Sequence, residues 1–164
     1  MIRDDDLPLL CDWLNRPHLR QFYQKAPTTL DAVRERYWDK LRGQEPTHAH
    51  LALLDGKPFG YLQCYRIADW PDYAAEIDVT DGVGLDYYIA EPELIGRGLG
   101  RAMLAAYLDG VVFPLFLGET RCVVCYETAN AASGGVLESI GFRPVRDLTE
   151  GGVPSRMMVF ERRA

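Results

Sequence analysis

The sequence predicts a mixed α/β fold, and three features predict it. A hairpin pattern occupies residues 48–66, strands alternate with helices after residue 83, and a glycine-rich turn joins one of those strands to its helix. The hairpin implies antiparallel pairing and the alternation implies parallel pairing. The expected sheet is therefore mostly antiparallel, with a parallel strand pair inside it and helices flanking it. With 164 residues, 48% of them hydrophobic and 26% charged, the chain can bury a sizeable core, and residues 1–164 are read as one domain.

The elements follow in order. Leu7 to Leu14 reads as a short amphipathic helix that ends before Pro17. Thr28-Thr29-Leu30-Asp31 is a cap-like start for a second helix through Val33, Tyr37 and Leu41. His48 to Leu54 alternates as a strand, Asp55-Gly56 turns, and Pro58 to Arg66 returns. A loop is expected to about Asp81, then a strand from Val83 to Ala90. Leu99, Met103, Tyr107 and Val111 mark a helix behind the Gly96–Gly100 turn. Arg121 to Tyr126 is a β-branched strand, and Asn130 to Ser139 a helix closed by Gly141. Phe142 to Leu148 and Met157 to Phe160 close the sheet around a Gly151-Gly152 turn.

Charge is unevenly placed. The net charge is -6, from 18 basic and 24 acidic residues. No Lys or Arg occurs from Ile67 to Gly96, yet this stretch holds eight acids: Asp69, Asp72, Glu76, Asp78, Asp81, Asp86, Glu91 and Glu93. The remaining 16 acids face 18 bases. Nucleic acid is an unsuitable partner for such a chain, whereas a cationic ligand suits it. No apolar run of membrane-spanning length and no secretory leader is seen, so a cytoplasmic location is expected. Cys122 and Cys125 form a C-x-x-C within a strand, where residues three apart face opposite ways, so buried thiols are expected rather than a metal or redox pair. His18, His48 and His50 lack ligand spacing, and no metal is expected.

Gly96-Arg97-Gly98-Leu99-Gly100-Arg101 lies between a strand and a helix. Glycines there permit positive φ and close approach of the backbone, and the unpaired N–H groups of the helix start attract an anion such as a pyrophosphate. Arg97 and Arg101 add charge. The plainer alternative is a flexible turn. The run lacks the Lys-Ser/Thr pair of a P-loop and the spacing of a Rossmann fingerprint.

Leu85-Asp86-Tyr87-Tyr88-Ile89, the glycine run, Asn130, and Leu137-Glu138-Ser139-Ile140-Gly141-Phe142 together resemble the GNAT superfamily of acetyl-CoA-dependent N-acetyltransferases. Asp12-Trp13-Leu14-Asn15-Arg16, Gly60-Tyr61-Leu62-Gln63-Cys64-Tyr65 and Gly84-Leu85-Asp86 are similar to its aminoglycoside 6'-N-acetyltransferases, and the likeness covers nearly the whole chain. The resemblance implies a GNAT-type mixed sheet whose central parallel strands splay. It implies that backbone N–H groups of Gly96, Arg97, Gly98, Leu99 and Gly100 hold the pyrophosphate of acetyl-CoA. It further implies that the strand end at Ile89 and Ala90 pairs with the pantetheine arm, that Asn130 and Ser133 touch the coenzyme, and that a backbone N–H near Ile89 stabilises the oxyanion. Only Met1 to Arg3 precede the first acidic turn, so the usual first strand is expected as a stub or absent, or else the sequence starts inside a longer reading frame, and that edge calls for other cover such as a dimer partner; a monomer or a homodimer is compatible with this.

Acetyl transfer needs a base for the amine, a donor for the developing oxyanion and a proton for the thiolate. Asp86, on a central strand, is the candidate base, beside the reading of a structural buried acid. The tyrosine that many GNAT enzymes use as the acid is Leu137 here, so Tyr126 is the candidate acid, beside the reading of a packing residue. Asp69, Asp72, Glu76, Asp78 and Asp81 are candidate ligands for a polycationic amine, with Glu150 and Glu127 from elsewhere. Tyr65, Trp70 and Tyr73 are candidates to cover sugar rings, and Phe22 and Tyr23 to close the pocket. Gly134 and Gly135 in a helix imply close approach of the coenzyme or of a strand. Alternative acceptors are a protein N-terminus, a polyamine or a siderophore amine. A non-catalytic acyl-CoA-binding module is the reading from another class.

Overall fold

The computed structural model describes residues 1–162. Six strands form one sheet in the order β1-β2-β3-β4-β6-β5, where β1 is Thr47–Leu54, β2 Lys57–Arg66, β3 Val83–Ile89, β4 Arg121–Glu127, β5 Arg143–Glu150 and β6 Val153–Glu161. The chain divides into two compact units: Met1–Gln63 with Tyr87–Ile95, and Cys64–Asp86 with the residues from Gly96 onward. No described helix is long and apolar enough to cross a membrane.

In the first unit a 3₁₀ turn, Asp4–Asp6, leads into α1 (Leu7–Leu14), followed by α2 (Pro17–Phe22) and α3 (Leu30–Leu41). Pro17 does more than end a helix, as the sequence reading had it. It opens α2 at a position where the missing N–H costs nothing, and Arg16 before it is extended (φ -69°, ψ 138°) as a pre-proline residue prefers. Thr29 caps α3 as expected, its hydroxyl accepting from the Ala32 N–H at 3.2 Å. Asp55 (φ 50°) and Gly56 (φ 78°) make the two-residue hairpin turn between β1 and β2. No strand is assigned to Met1–Arg3, and Ile2 N–H donates to Ala49 O at 2.9 Å on the edge strand that carries His48 and His50. Leu10, Trp13, Leu14, Val33, Tyr37, Tyr61 and Tyr88 form the core. Tyr61 stacks on Tyr88 at 5.2 Å, and Tyr23 meets Tyr88 edge-on at 4.7 Å.

In the second unit the acidic segment is not the loop that the sequence suggested. A 3₁₀ turn (Ile67–Asp69) and α4 (Pro71–Glu76) occupy it. Ile67, Ala74 and Ile77 sink against Val123, Met157 and Val159 of the sheet, which an exposed loop would not do. Behind the glycine turn, α5 (Leu99–Tyr107) is shorter than expected. A wide turn, Leu108–Val112, and a short α6 (Phe113–Leu115) follow, at a place where Gly110 and Pro114 disfavour regular helix. The final helix, α7 (Ala131–Ser139), ends at Gly141, whose φ is 102°. Parallel pairing of β3 with β4 is restricted to Val83–Cys122 and Gly84–Val123. The β4–β6 and β5–β6 pairs are antiparallel, and β5 carries a bulge between Pro144 and Arg146.

Candidate active site

Gly96 and Gly98 adopt φ of 77° and 78° before α5. A Cβ at either would meet nothing within 4 Å, so backbone conformation rather than crowding calls for glycine there. Gly98 is the N-cap and supplies no side-chain acceptor, so no side chain caps the first N–H groups of α5. Arg97 and Arg101 are exposed beside it. The helix start thus presents backbone N–H groups beside two exposed guanidinium groups, an arrangement suited to an anion.

Asp86 follows Gly84 on β3. A Cβ on Gly84 would lie 2.4 Å from Cε2 of Tyr65, so glycine is what lets the Tyr65 ring lie across this strand. Burial, and then the charge of Asp86, push the Tyr65 hydroxyl well above its ordinary range. Tyr73 on α4 donates to Glu150 Oε1 at 3.0 Å. Burial raises the Glu150 carboxyl. The Tyr73 bond opposes that rise, and the charges of Asp86, Glu76 and Glu127 add to it. Cys125 on β4 shares the same field, its thiol pushed up to about 12 by burial and by Glu150. Glu76 accepts the Gly151 N–H at 2.7 Å. Asp86, Glu150, Tyr65, Tyr73 and Cys125 thus occupy one acidic, tyrosine-lined environment built from β3, β5, β2, α4 and β4.

The other candidates are placed as follows. Trp70 meets Tyr65 edge-on at 6.2 Å, and its indole N–H is buried without a hydrogen-bond partner among the described residues. Asp69 and Asp72 are exposed, on the 3₁₀ turn and in the first turn of α4. Asp78 pairs with Arg146 at 3.2 Å and Asp81 with Arg121 at 3.1 Å. Arg146 also donates to the Ile77 carbonyl. Glu127 is half-buried at the end of β4. Tyr126 Oη packs against α7 so closely that a Cβ on Gly134 would be 2.5 Å away. Approach of a strand side chain therefore accounts for that glycine, while Gly135 meets nothing within 4 Å and has no such account. Leu137, one helical turn on from Gly134, is fully buried. Asn130 caps α7, its Oδ1 accepting the Ser133 N–H at 3.2 Å.

Ile89 belongs to the first unit, where His18 Nε2 lies 3.1 Å from its carbonyl oxygen. Tyr23 packs on Tyr88 in that unit, and Phe22 ends α2 half-buried. All four cysteines are free thiols, and burial pushes Cys64 up to about 11. Burial and the nearby N-terminus lower His50 to about 4, so it is neutral at pH 7. No group of metal-ligating side chains gathers among the described residues. A cavity of about 980 Å³ lined by Phe113, Phe142, Phe160 and Arg121 contains none of the candidate residues. Sequence reasoning missed Cys125, Gly84 and His18 as parts of these environments. The glycine before Asp86 was the one usable signal, since a strand-interior glycine marks close approach.

The chain matches the family model described as an acetyltransferase (GNAT) domain over residues 3–149. It is 32% identical over 112 residues to "Aminoglycoside N(6')-acetyltransferase type 1" of Klebsiella pneumoniae, covering 66% of this chain and 56% of that protein. It is 30% identical over 121 residues to "Lysine N-acyltransferase MbtK" of Mycobacterium tuberculosis, covering 71% of this chain and 53% of that one. The chain thus spans little more than half the length of these curated relatives. The crystal structure of AAC(6')-Ib in complex with coenzyme A and kanamycin superposes with a TM-score of 0.87 at 29% identity, over 99% of this chain and 92% of that one.

Proposed function

The chain belongs to the GNAT acetyltransferase family, and on that premise we propose that it transfers the acetyl group of acetyl-CoA to a primary amine of an aminoglycoside, at the 6' position. The observation that carries the acceptor half of this reading is the acidic environment of Asp86 and Glu150. Tyr73 donates to Glu150 and the Gly151 N–H to Glu76, and neither of these neutral donors cancels the charge of the carboxylate it meets, which suits a polyammonium ligand. The glycine cradle supports the donor half. Backbone N–H groups of Gly96 to Gly100, with Arg97 and Arg101, take the pyrophosphate, and Asn130 and Ser133 take the pantetheine arm. The family model runs through both compact units, which supports treating residues 1–164 as one catalytic domain.

Asp86 anchors the ammonium and accepts its proton directly or through water. The amine nitrogen then attacks the thioester carbon. The Ile89 N–H receives the developing oxyanion. With the new C–N bond formed, the tetrahedral adduct collapses by breaking the C–S bond; the thiolate takes a proton from Tyr126, whose hydroxyl lies against the face of α7 that also carries Leu137, and the proton lost from the acylated nitrogen restores Tyr126. Tyr65, Tyr73 and Trp70 offer ring faces and polar edges to sugars. Glu150 and Glu76, with the exposed Asp69 and Asp72, hold further ammonium groups, and Asp78 and Asp81 are occupied by arginines.

A second reading, acylation of a siderophore or lysine amine, is favoured by the likeness to the lysine N-acyltransferase. One experiment separates them: thiol release from acetyl-CoA with kanamycin, tobramycin, an aminoglycoside bearing a 6'-hydroxyl, hydroxyputrescine and lysine. The expected order of kcat/KM places the 6'-amino compounds first and the 6'-hydroxyl compound at background. Preference for lysine or hydroxyputrescine supports the second reading. Binding of acetyl-CoA without turnover on any amine overturns both.

A further inference from the structure

The run from Asp12 to His18 takes no part in the chemistry above, yet its polar side chains converge on three consecutive residues, the carbonyls of Ile89 and Ala90 and the carboxylate of Glu91. Trp13 is fully buried and its indole N–H donates to Glu91 Oε1 at 3.1 Å. Arg16 Nη1 donates to Glu91 Oε2 at 2.6 Å and to the Ala90 carbonyl at 2.7 Å. Its other nitrogens are held by Asp12 Oδ2 at 3.2 and 3.0 Å. His18 Nε2 lies 3.1 Å from the Ile89 carbonyl. A carbonyl only accepts, so Nε2 carries a proton whether the ring is neutral or charged. Asn15 fastens the helix end that presents these groups, bonding the Cys11 and Thr28 carbonyls and the Thr28 N–H.

The peptide plane between Ile89 and Ala90 is consequently held at both ends, its oxygen by His18 and its N–H by the Phe59 carbonyl at 2.8 Å. The next carbonyl is held by Arg16. Strand ends ordinarily fray, and β3 ends at Ile89. Spending two cationic or aromatic donors and a partly buried ion pair on this end is more than packing requires.

We propose that Trp13, Arg16 and His18 are positioning residues that hold the Ile89–Ala90 peptide, and through the shared Cα of Ile89 limit how the adjoining Tyr88–Ile89 plane, whose N–H receives the oxyanion, can turn. The proposal rests on the assignment of Ile89 in the reaction given above. Oxyanion donors act only when pre-aimed, so a loosened strand end costs kcat and leaves binding of the amine nearly unchanged.

The test uses the full chain and reads two signals. In His18→Ala, kcat falls about tenfold with KM for the amine within about twofold, the size expected for one lost hydrogen bond. In the same variant without substrate, amide exchange at Ala90 quickens about tenfold by the same argument. His18→Gln, whose Nε2 reaches as far and donates, restores most of both. Arg16→Lys keeps the charge beside Glu91 but loses the forked contact to the Ala90 carbonyl, and serves if His18→Ala does not fold. Unchanged kcat in His18→Ala overturns the catalytic role, and unchanged Ala90 exchange overturns the clamp. Equal impairment in His18→Ala and His18→Gln also overturns it, since the hydrogen bond is then not what matters. A wild-type chain inactive on every amine overturns the assigned reaction, while the Ala90 exchange still decides the clamp.

Discussion

Two groups of carboxylates come from the same base-free stretch and its neighbourhood, and they end in opposite circumstances. Asp78 and Asp81, 87% and 69% exposed at the side chain, meet Arg146 of β5 and Arg121 of β4. Glu150 and Glu76 meet a tyrosine hydroxyl and a backbone N–H instead, and the charges that act on Glu150 are those of Asp86, Glu76 and Glu127. The first group is neutralised by bases delivered from distant parts of the chain. The second is stabilised by neutral donors, which satisfy the oxygens without cancelling the charge. A local absence of Lys and Arg is therefore a poor guide to a cation site, and the partner that each acid acquires on folding is the better one.

The sharpest way to break this contrast is Asp86→Asn. It keeps the shape and removes the base, and kcat should fall by about a hundredfold or more, the usual scale of a lost general base. Steady-state kinetics with a 6'-amino aminoglycoside checks it, and a rate within twofold of wild type would remove Asp86 from the mechanism. Next in size, Glu150→Gln should raise KM for a polycationic acceptor about tenfold with little change in KM for acetyl-CoA, as expected for one lost charge-assisted contact. Raising the salt concentration should shrink that difference.

The same residue gives a pH signature. Folding raises the Glu150 carboxyl above its unfolded value, ordinarily about 4.3. Between the two values the folded state holds the proton more often, so stability declines as pH rises through that window. Thermal melts from pH 4 to 7 should show this slope, and Glu150→Gln should flatten it and raise Tm at pH 7. Asp147 has the opposite sign: its bond to Arg156 lowers it, so its contribution is lost as pH falls. The smallest effect belongs to the arginine-paired group. Asp81→Asn should leave kcat and KM unchanged and shift stability by no more than about 0.5 kcal/mol, as for other exposed ion pairs. A substrate defect in Asp81→Asn would merge the two groups and end the contrast.

Much of the fold was legible because its signals are local. Thr29 caps a helix, Asp55-Gly56 turns a hairpin, and Gly98 opens a helix with positive φ, each for reasons contained within a few residues. Alternation after residue 83 pointed to the one parallel pair. The helix at Pro71–Glu76 was not legible, because six residues carry too little periodicity and its apolar positions are explained by Val123 and Met157, far along the chain. Within the candidate site, Asp86, Tyr65, Tyr73 and Glu150 were named from residue type, and the structure gathers them. The sequence reads Cys125 as a buried thiol, but it is only half-buried, and the acid Glu150 acts on it.

What the sequence determined by itself is therefore the caps and turns whose signals are local, among them the glycine turn before α5, since such a turn presents the helix's first N–H groups whatever else the chain does. It also determined that negative charge would be concentrated near the middle of the chain. Which of those charges stay available was decided only by tertiary structure. Arg121 and Arg146 lie tens of residues from the acids that they neutralise, and Tyr73 and Glu150 are brought together from opposite ends of the second unit. Compensation of a charge depends on distance in space and on burial, and neither is a property of sequence neighbours.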